Sequence, residues 1–295
     1  MADPVVFFGM LLNMISGVGI VILNKYIVTE DSFDYVVFLS FCHYFFTMVF
    51  SGILAKAGYV TPKQIAIDKR VTLAMASLGS IVFMNLSLAH NSVGFYQLSK
   101  LACIPVIIVV EYALYERIVP LSKLLTVTVI VFGVGVASVS DVTINFIGMI
   151  LAAVAVTFTS MAQILCSHYQ KYLECDSMQL LHSTCPLVTI GMLVFIPFFH
   201  NVRELGQAEF SAPLLTHIFW SCVLALGVNI TNFLILGKTS PLAYQVLGHL
   251  KATIILILGV VVFNYQYNAK VIAGTVLALG GVVAYTELGR QKTVG

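Results

Sequence analysis

The chain has 295 residues, of which 59% are hydrophobic and 9% charged, and its mean hydropathy is +0.99. So few charged side chains cannot cover the surface of a soluble domain, which excludes soluble enzymes. The net charge of +2 identifies no partner, and we expect none among nucleic acids.

Hydrophobic runs of about 18 or more residues recur along the whole chain, and a helix of about 20 residues spans the hydrocarbon core. Only helices or closed barrels satisfy backbone polar groups in lipid, and such long runs do not fit the short alternating strands of a barrel. We therefore predict an all-α membrane protein, with lipids around it. Its ten transmembrane helices are predicted at residues 5–28, 35–56, 71–90, 92–110, 120–140, 145–168, 178–199, 213–236, 239–263 and 267–287.

The connections between these spans are short, and only residues 57–70 and 200–212 leave room for structure outside the bilayer. Of the 15 Lys and Arg residues, ten lie on the side that would hold both termini, three on the other side, and two within spans. Because positively charged loops remain preferentially in the cytosol, we predict a multi-pass protein with both termini cytosolic.

The sequence repeats weakly with a shift of about half its length. Tyr96-Gln97 recurs as Tyr244-Gln245, a shift of 148, and Gly133 recurs as Gly280, a shift of 147. A shift of this size carries five spans. Because five is odd, the second copy enters the membrane upside down relative to the first.

We therefore predict two inverted five-helix repeats, residues 1–143 and 144–295. Secondary transporters are often built in this way, with the substrate near the midplane and with halves that rock against each other. The repeat favours transport by alternating access, a symmetry that receptors and intramembrane enzymes do not generally need.

Two lysines, Lys100 and Lys251, fall inside corresponding spans of the two repeats. A lysine at the centre of a spanning helix costs about 2.5 to 3.5 kcal/mol unless a partner offsets its charge. Glu111 lies about 16 Å further along the same helix as Lys100. With no carboxylate predicted at mid-depth, the two lysines indicate an anion site, and phosphate groups suit an ammonium partner.

The two lysines have similar neighbours in sequence. We predict that these neighbours also bind the substrate: Tyr96, Gln97, Tyr244, Gln245 and Gly248. Helical spacing places most of them on the same face as the nearby lysine. An aromatic ring and an amide could stack a nucleobase or pack a sugar while bonding its hydroxyl groups. The alternative is that the Tyr-Gln pairs bond across helices and the lysines reach water through a cavity.

Other polar residues in the spans are less informative. Asn85 could line the substrate path or bond a neighbouring helix, and Lys25 could bind substrate or anchor the end of the first span. The histidines His43, His168, His182 and His249 are interpreted as packing or hydrogen-bonding groups. Neither catalytic residues, nor a metal site, nor a cofactor is predicted. Gly133 with Gly135, and Gly280 with Gly281, are interpreted as close-packing positions.

Several segments resemble the nucleotide-sugar and triose-phosphate translocator family of the drug/metabolite transporter superfamily. They are SFCHYFFT, NLSLAHNSVGFYQ, SVGFYQLSKLACIP, FIGMILAAVAVTFTSMAQI, TSPLAYQVLGHLK and GVVAYTEL, and together they span nearly the whole chain. The resemblance is strongest to the branch with plant transporters of UDP-xylose, UDP-rhamnose and UDP-galactose.

This resemblance implies a Golgi or ER antiporter that exchanges a cytosolic UDP-sugar for lumenal UMP. It implies that Lys100 and Lys251 contact the phosphates, and that the Tyr, Gln and Gly residues before them face the nucleotide or sugar. The family often has Thr or Arg after the second lysine, where this chain has Ala252. That difference leaves the sugar open and weakens the case for a small, tightly clamped phosphorylated sugar.

Three rival functions remain to be weighed. An exchanger of triose phosphate or phosphoenolpyruvate against phosphate is the alternative within transport. An intramembrane enzyme is disfavoured because the spans show no nucleophile-base pair. An exporter of apolar cations is disfavoured because buried positive charge would repel its cargo. The sequence leaves both a monomer and a homodimer open.

Overall fold

The computed structural model describes residues 3–91, 99–138, 145–263 and 269–294, and within these ranges the regular secondary structure is α-helix. The helices described are α1 (Pro4–Thr29), α2 (Val36–Lys56), α3 (Ile67–His90), α4 (Cys103–Tyr115), α5 (Leu121–Ser138), α6 (Phe146–Tyr172), α7 (Ser177–Phe199), α8 (Val202–Gln207), α9 (Ala212–Lys238), α10 (Pro241–Phe263) and α11 (Ala269–Val294). Lys100 lies in a helical turn just before α4.

Six segments within the described ranges are long and apolar enough to cross a membrane: Pro4–Thr29, Val36–Lys56, Ile67–Ser87, Phe146–Tyr172, Ser177–Phe199 and Ala212–Lys238. Two shorter apolar stretches lie in α5 and α11. The prediction of an all-α membrane protein is thereby confirmed. The count of ten spans and their inverted repeat stay predictions.

Polar residues just before the helices explain where several of them begin. Asp3 accepts a hydrogen bond from the backbone N–H of Val5, and Pro4 occupies the first turn, where its missing N–H is no loss. Before α7, Asp176 and Gln179 exchange side chain-to-backbone bonds of 2.7 and 3.0 Å, which is a capping box. These bonds satisfy N–H groups that a helix leaves unpaired.

The two connections predicted to hold structure outside the bilayer are partly helical. Helix α3 begins at Ile67, four residues before the predicted span, because Asp68 in its first turn interacts favourably with the helix dipole. Residues 200–212 contain the short helix α8.

A distant histidine caps α2. The side chain of Tyr35, which precedes the helix, makes no capping bond. Instead Nε2 of His200, just after α7, accepts a hydrogen bond from the backbone N–H of Val37 at 3.1 Å. The His200 ring also packs edge-on against Tyr35, with ring centroids 5.4 Å apart.

The chain divides into two compact units, each built from one segment of the first half of the chain and one of the second half. Unit A comprises Ala2–Leu78 and Leu165–Thr239, and unit B comprises Gly79–Ile164 and Ser240–Gly295. Each unit therefore combines helices from both predicted repeats, and the repeat boundary at 143/144 stays a prediction about sequence.

Hydrogen bonds between side chains join α1, α2 and α9 within unit A. Asn13, which is fully buried, donates to Thr231 at 2.7 Å and to Asn232 at 2.8 Å. Asn229 donates to Thr47 at 3.0 Å. Such bonds between spanning helices supply attraction that apolar contact alone does not give in lipid.

Small residues bring α5 and α11 close together in unit B. A Cβ atom at Gly133 would lie 2.5 Å from the backbone nitrogen of Ala278, and one at Gly281 would lie 2.7 Å from Cγ1 of Ile130. Close packing at Gly133 and Gly281 is thus confirmed. The same prediction for Gly280 is wrong: within the described ranges no atom lies within 4 Å of a Cβ there. A helix turns by about 100° per residue, so Gly280 points away when Gly281 faces α5.

Candidate anion site

Lys100 and Lys251 both belong to unit B, although they lie far apart in the chain. Leu101, next to Lys100, packs in one hydrophobic cluster with Val246 and Leu250 of α10, so the segment that carries Lys100 lies against that helix. Both lysine side chains are half-buried. Two ammonium groups close to each other would repel, and an anion between them would relieve that repulsion. That the two lysines bind an anion stays a prediction.

Tyr244 and Gly248 share one face of α10 with Lys251. The Nζ atom of Lys251 lies 5.5 Å from the ring centroid of Tyr244, which is a cation–π contact. The meeting of these two side chains follows from their spacing of seven residues. A Cβ atom placed on Gly248 meets no described atom within 4 Å. Among the described residues, this face of α10 therefore has room for a Cβ at Gly248.

Gln245 lies on a different face and bonds to other helices. Its Nε2 donates to Oε1 of Gln163 on α6 at 3.1 Å. Gln245 is buried. The amide thus holds α10 against α6, which fits the cross-helix alternative raised for the Tyr-Gln pairs.

Two residues that were not predicted as binding groups belong to this cluster. Gln163 accepts the hydrogen bond that Gln245 donates. In the sequence it stands out as an amide side chain in a largely apolar stretch of α6. His249 is 5% exposed and lies one turn after Gln245 on the same face of α10. Its position between Gly248 and Lys251 was visible in the sequence, but its surroundings were not.

The carboxylate nearest to Lys100 along α4 is engaged elsewhere. Glu111 is buried, and one of its oxygens accepts a hydrogen bond from Arg117 at 3.1 Å. The two residues form an ion pair at the end of α4, where Glu116 takes a left-handed conformation and ends the helix. The pair stabilises this helix end. The positive charge of Arg117 offsets the cost of burying the Glu111 carboxylate.

The remaining predicted binding residues are placed as follows. Asn85 lies half-buried on α3 in unit B. Lys25 lies on α1, in unit A, near the end of that helix. Tyr96 and Gln97 lie outside the described residues. Lys100, Asn85 and the α10 residues therefore belong to one unit and Lys25 to the other, while the roles of all predicted site residues stay predictions.

Comparison with known proteins decides the family. The family model described as "Triose-phosphate Transporter family" matches residues 6–286. The chain belongs to this family. The resemblance inferred from the sequence motifs is thus confirmed, and it extends over nearly the whole chain.

Relatives within the Triose-phosphate Transporter family carry more specific names. UDP-rhamnose/UDP-galactose transporter 2 of Arabidopsis thaliana is 35% identical over 95% of this chain and 83% of its own length. UDP-xylose transporter 2 of the same plant is 33% identical over 93% of this chain and 79% of its own length. One solved crystal structure of a protein matches with a TM-score of 0.78 and 11% identity, covering 98% of this chain and 99% of the other. At that identity the match shows the fold alone.

Proposed function

We propose that this member of the Triose-phosphate Transporter family is an antiporter that exchanges a cytosolic UDP-sugar for lumenal UMP. The observation that supports the proposal is that Lys100 and Lys251 belong to the same unit, with Lys251 over the ring of Tyr244 and no described atom within 4 Å of a Cβ at Gly248. The names of the relatives, which are UDP-sugar transporters, support the choice of substrate.

The two lysines would hold the phosphates of whichever nucleotide is bound. Tyr244 would hold the ammonium group of Lys251 in place, and the space at Gly248 would receive the nucleoside or sugar. The ten-helix inverted repeat supplies the symmetry for alternating access. On this proposal the protein lies in the Golgi or ER membrane with both termini in the cytosol.

Mutual repulsion of the lysines gives a physical reason for exchange. An empty site holds two like charges within electrostatic range, so closing it away from water costs more than closing a site that contains phosphates. The empty carrier is therefore slow to change sides. Uptake then requires a nucleotide on the opposite side.

Reconstitution into liposomes tests the proposal. Vesicles loaded with UMP should take up labelled UDP-sugar, and the UDP-sugar should be recovered chemically unchanged, as expected of a transporter and not of an enzyme. Lys100→Gln and Lys251→Gln should each abolish this exchange. Lys123→Gln is a matched control, because Lys123 packs over Tyr285 elsewhere in unit B, 5.5 Å from its ring centroid. Near-normal exchange by either lysine variant would contradict the proposal that both lysines hold the phosphates.

The alternative, exchange of triose phosphate or phosphoenolpyruvate against phosphate, is not favoured, because the relatives quoted above are named for UDP-sugars. The same vesicles loaded with inorganic phosphate test it directly. Phosphate counterflow that UMP and UDP-sugars do not inhibit would favour the phosphate exchanger over the UDP-sugar exchanger.

A further inference from the structure

Basic residues are concentrated at one end of unit A, the end that is predicted to face the cytosol. They lie at the ends of α2, α6 and α9, in the connection from α2 to α3 and in the first turn of α3: Lys56, Lys63, Lys69, Arg70, Lys171 and Lys238. We refer to these six residues as the basic end. The same segments, residues 56–70, 171–179 and 238–239, contain three carboxylates, Asp68, Glu174 and Asp176. The basic end therefore has an excess of positive charge.

Hydrogen bonds within unit A hold these chain segments together. Nζ of Lys63 donates to two backbone oxygens just after α6, at 2.7 and 2.9 Å. The side chain of Gln179, in the first turn of α7, donates to the backbone oxygen of Thr61 at 2.9 Å. Nζ of Lys171 donates to a backbone oxygen just after α9 at 3.3 Å. The excess positive charge is thus held on one surface of the unit.

Arg70 is the member of the basic end best suited to bind an anion. It is half-buried, and its Nε donates to the backbone oxygen of Ser183 on α7 at 2.9 Å. The neighbouring carboxylate, Asp68, pairs with Lys69 at 3.3 Å instead. Among the described residues, the two Nη atoms of Arg70 make no hydrogen bond or ion pair. The bond from Nε therefore orients a guanidinium whose remaining N–H groups can bind two oxygens of a phosphate at once.

The depth of Arg70 in the membrane favours a lipid over a soluble anion. Its partner Ser183 is the seventh residue of α7, a helix long and apolar enough to cross the membrane, and lies about 9 Å from the start of that helix. The headgroup layer on each side of a bilayer is about 5 to 8 Å thick. The guanidinium is therefore held at the level of the lipid headgroups or just below it. Tyr59 and Tyr172, both exposed at the same end, are typical of residues at a membrane interface.

We infer that the basic end of unit A binds the headgroup of an anionic phospholipid, whose phosphate accepts hydrogen bonds from the Nη atoms of Arg70. Clusters of four to eight Lys and Arg residues beside a spanning helix are typical of binding to anionic lipids. The predicted orientation places this end in the cytosolic leaflet, which carries such lipids. The inference is independent of UDP-sugar exchange, which is proposed for lysines of unit B.

Binding of phosphatidylinositol to purified protein in a neutral detergent tests the inference. Phosphatidylcholine with the same acyl chains is the reference lipid, because its headgroup has a phosphate but no net charge. Arg70→Gln removes the guanidinium, and Arg70→Lys keeps the charge without the fork of N–H groups. Arg203→Gln is the matched control, because Arg203 is an exposed arginine on α8, which follows the other end of α7. The dissociation constant of each lipid and the melting temperature without lipid are measured.

Wild type should bind phosphatidylinositol about tenfold more tightly than phosphatidylcholine. Arg70→Gln should weaken binding of phosphatidylinositol about tenfold or more, as expected for the loss of hydrogen bonds to a charged group. Arg70→Lys should bind it with intermediate affinity, and Arg203→Gln should bind it like wild type. A purely structural arginine would instead lower the melting temperature and leave the ratio of the two dissociation constants unchanged. If Arg70→Gln does not fold, the ratio measured for Arg70→Lys decides.

Inorganic phosphate and UMP distinguish a lipid site from a site for soluble phosphate compounds. Neither should displace phosphatidylinositol from wild type. Displacement by either would assign Arg70 to a soluble ligand and overturn the lipid assignment. Wild-type affinity for phosphatidylinositol in Arg70→Gln, or equal affinity of wild type for the two lipids, would overturn the inference as a whole.

Discussion

The ammonium group of Lys251 lies 5.5 Å from the ring centroid of Tyr244, two turns earlier on the same helix. A cation over a ring face is held by the negative charge of the π-system, and the contact strengthens where water is scarce. Tyr244 therefore fixes the direction of a side chain that could otherwise take many rotamers.

Replacing Tyr244 tests how much this contact contributes to nucleotide binding. Tyr244→Leu should weaken UMP binding about fivefold, since a cation–π contact is worth about 1 kcal/mol. Tyr244→Phe keeps the ring and should bind UMP nearly as well as wild type. If Phe weakens binding as much as Leu does, the tyrosine acts through its hydroxyl group and the contact with Lys251 is incidental.

The open face at Gly248 makes a second prediction. Because a Cβ there meets no atom of the described residues within 4 Å, Gly248→Leu should change the melting temperature little while reducing UMP exchange about tenfold or more, through occupation of substrate space. Gly280→Leu is the matched control, since Gly280 on α11 also has no described atom within 4 Å. Equal exchange by the two leucine variants would show that the space beside Gly248 is not used by substrate.

The sequence predicts the helices of this protein better than it predicts their grouping. Length and hydropathy identify the spans because each must cross the same apolar layer. They do not show which helices form each unit, because lipid-facing and protein-facing positions are both apolar. Helix α6, for example, is one continuous run in sequence, yet residues up to Ile164 belong to unit B and those from Leu165 to unit A.

The candidate site shows the same limit at the level of side chains. Helical spacing brings Tyr244, Gly248 and Lys251 to one face, and this could be predicted from the sequence. The bond from Gln245 to Gln163 depends on which helix packs against α10. The lack of a partner for Nε2 of His249 among the described residues depends on what surrounds that side chain. Neither property is local, so neither could be predicted from sequence spacing alone.

The close approach of α5 and α11 makes a prediction about stability. A methyl group at Gly133 would lie 2.5 Å from the backbone nitrogen of Ala278, and a backbone cannot move aside cheaply. Gly133→Ala should therefore destabilise the protein by about 1 to 3 kcal/mol, lowering its melting temperature. Gly280→Ala should maintain or raise that temperature, because alanine favours a helix and has room there. Similar melting temperatures for both variants would contradict the packing described for these helices.

The bond from Val37 to His200 makes stability depend on pH. Burial lowers the pKa of His200 from its ordinary 6.5, an effect that the charge of Asp34 only partly opposes. The unfolded chain therefore binds a proton at this residue more readily than the folded protein does. The stability that the neutral ring contributes is present above about pH 6.5 and falls as the pH drops from there through the lowered pKa.

Protonated His200 also loses the lone pair that accepts the N–H of Val37, so the cap of α2 is lost with it. We expect the melting temperature to fall between pH 7.5 and 5.5 by more in wild type than in His200→Gln, whose side-chain oxygen can accept the same bond but does not titrate. A second histidine near this end of unit A, His217, bonds to Asp31 at 2.8 Å. His217→Gln is the matched control: it leaves the His200 cap of α2 intact, so it should retain the fall in melting temperature seen in wild type. A fall of equal size in wild type and His200→Gln would assign the pH dependence to other groups.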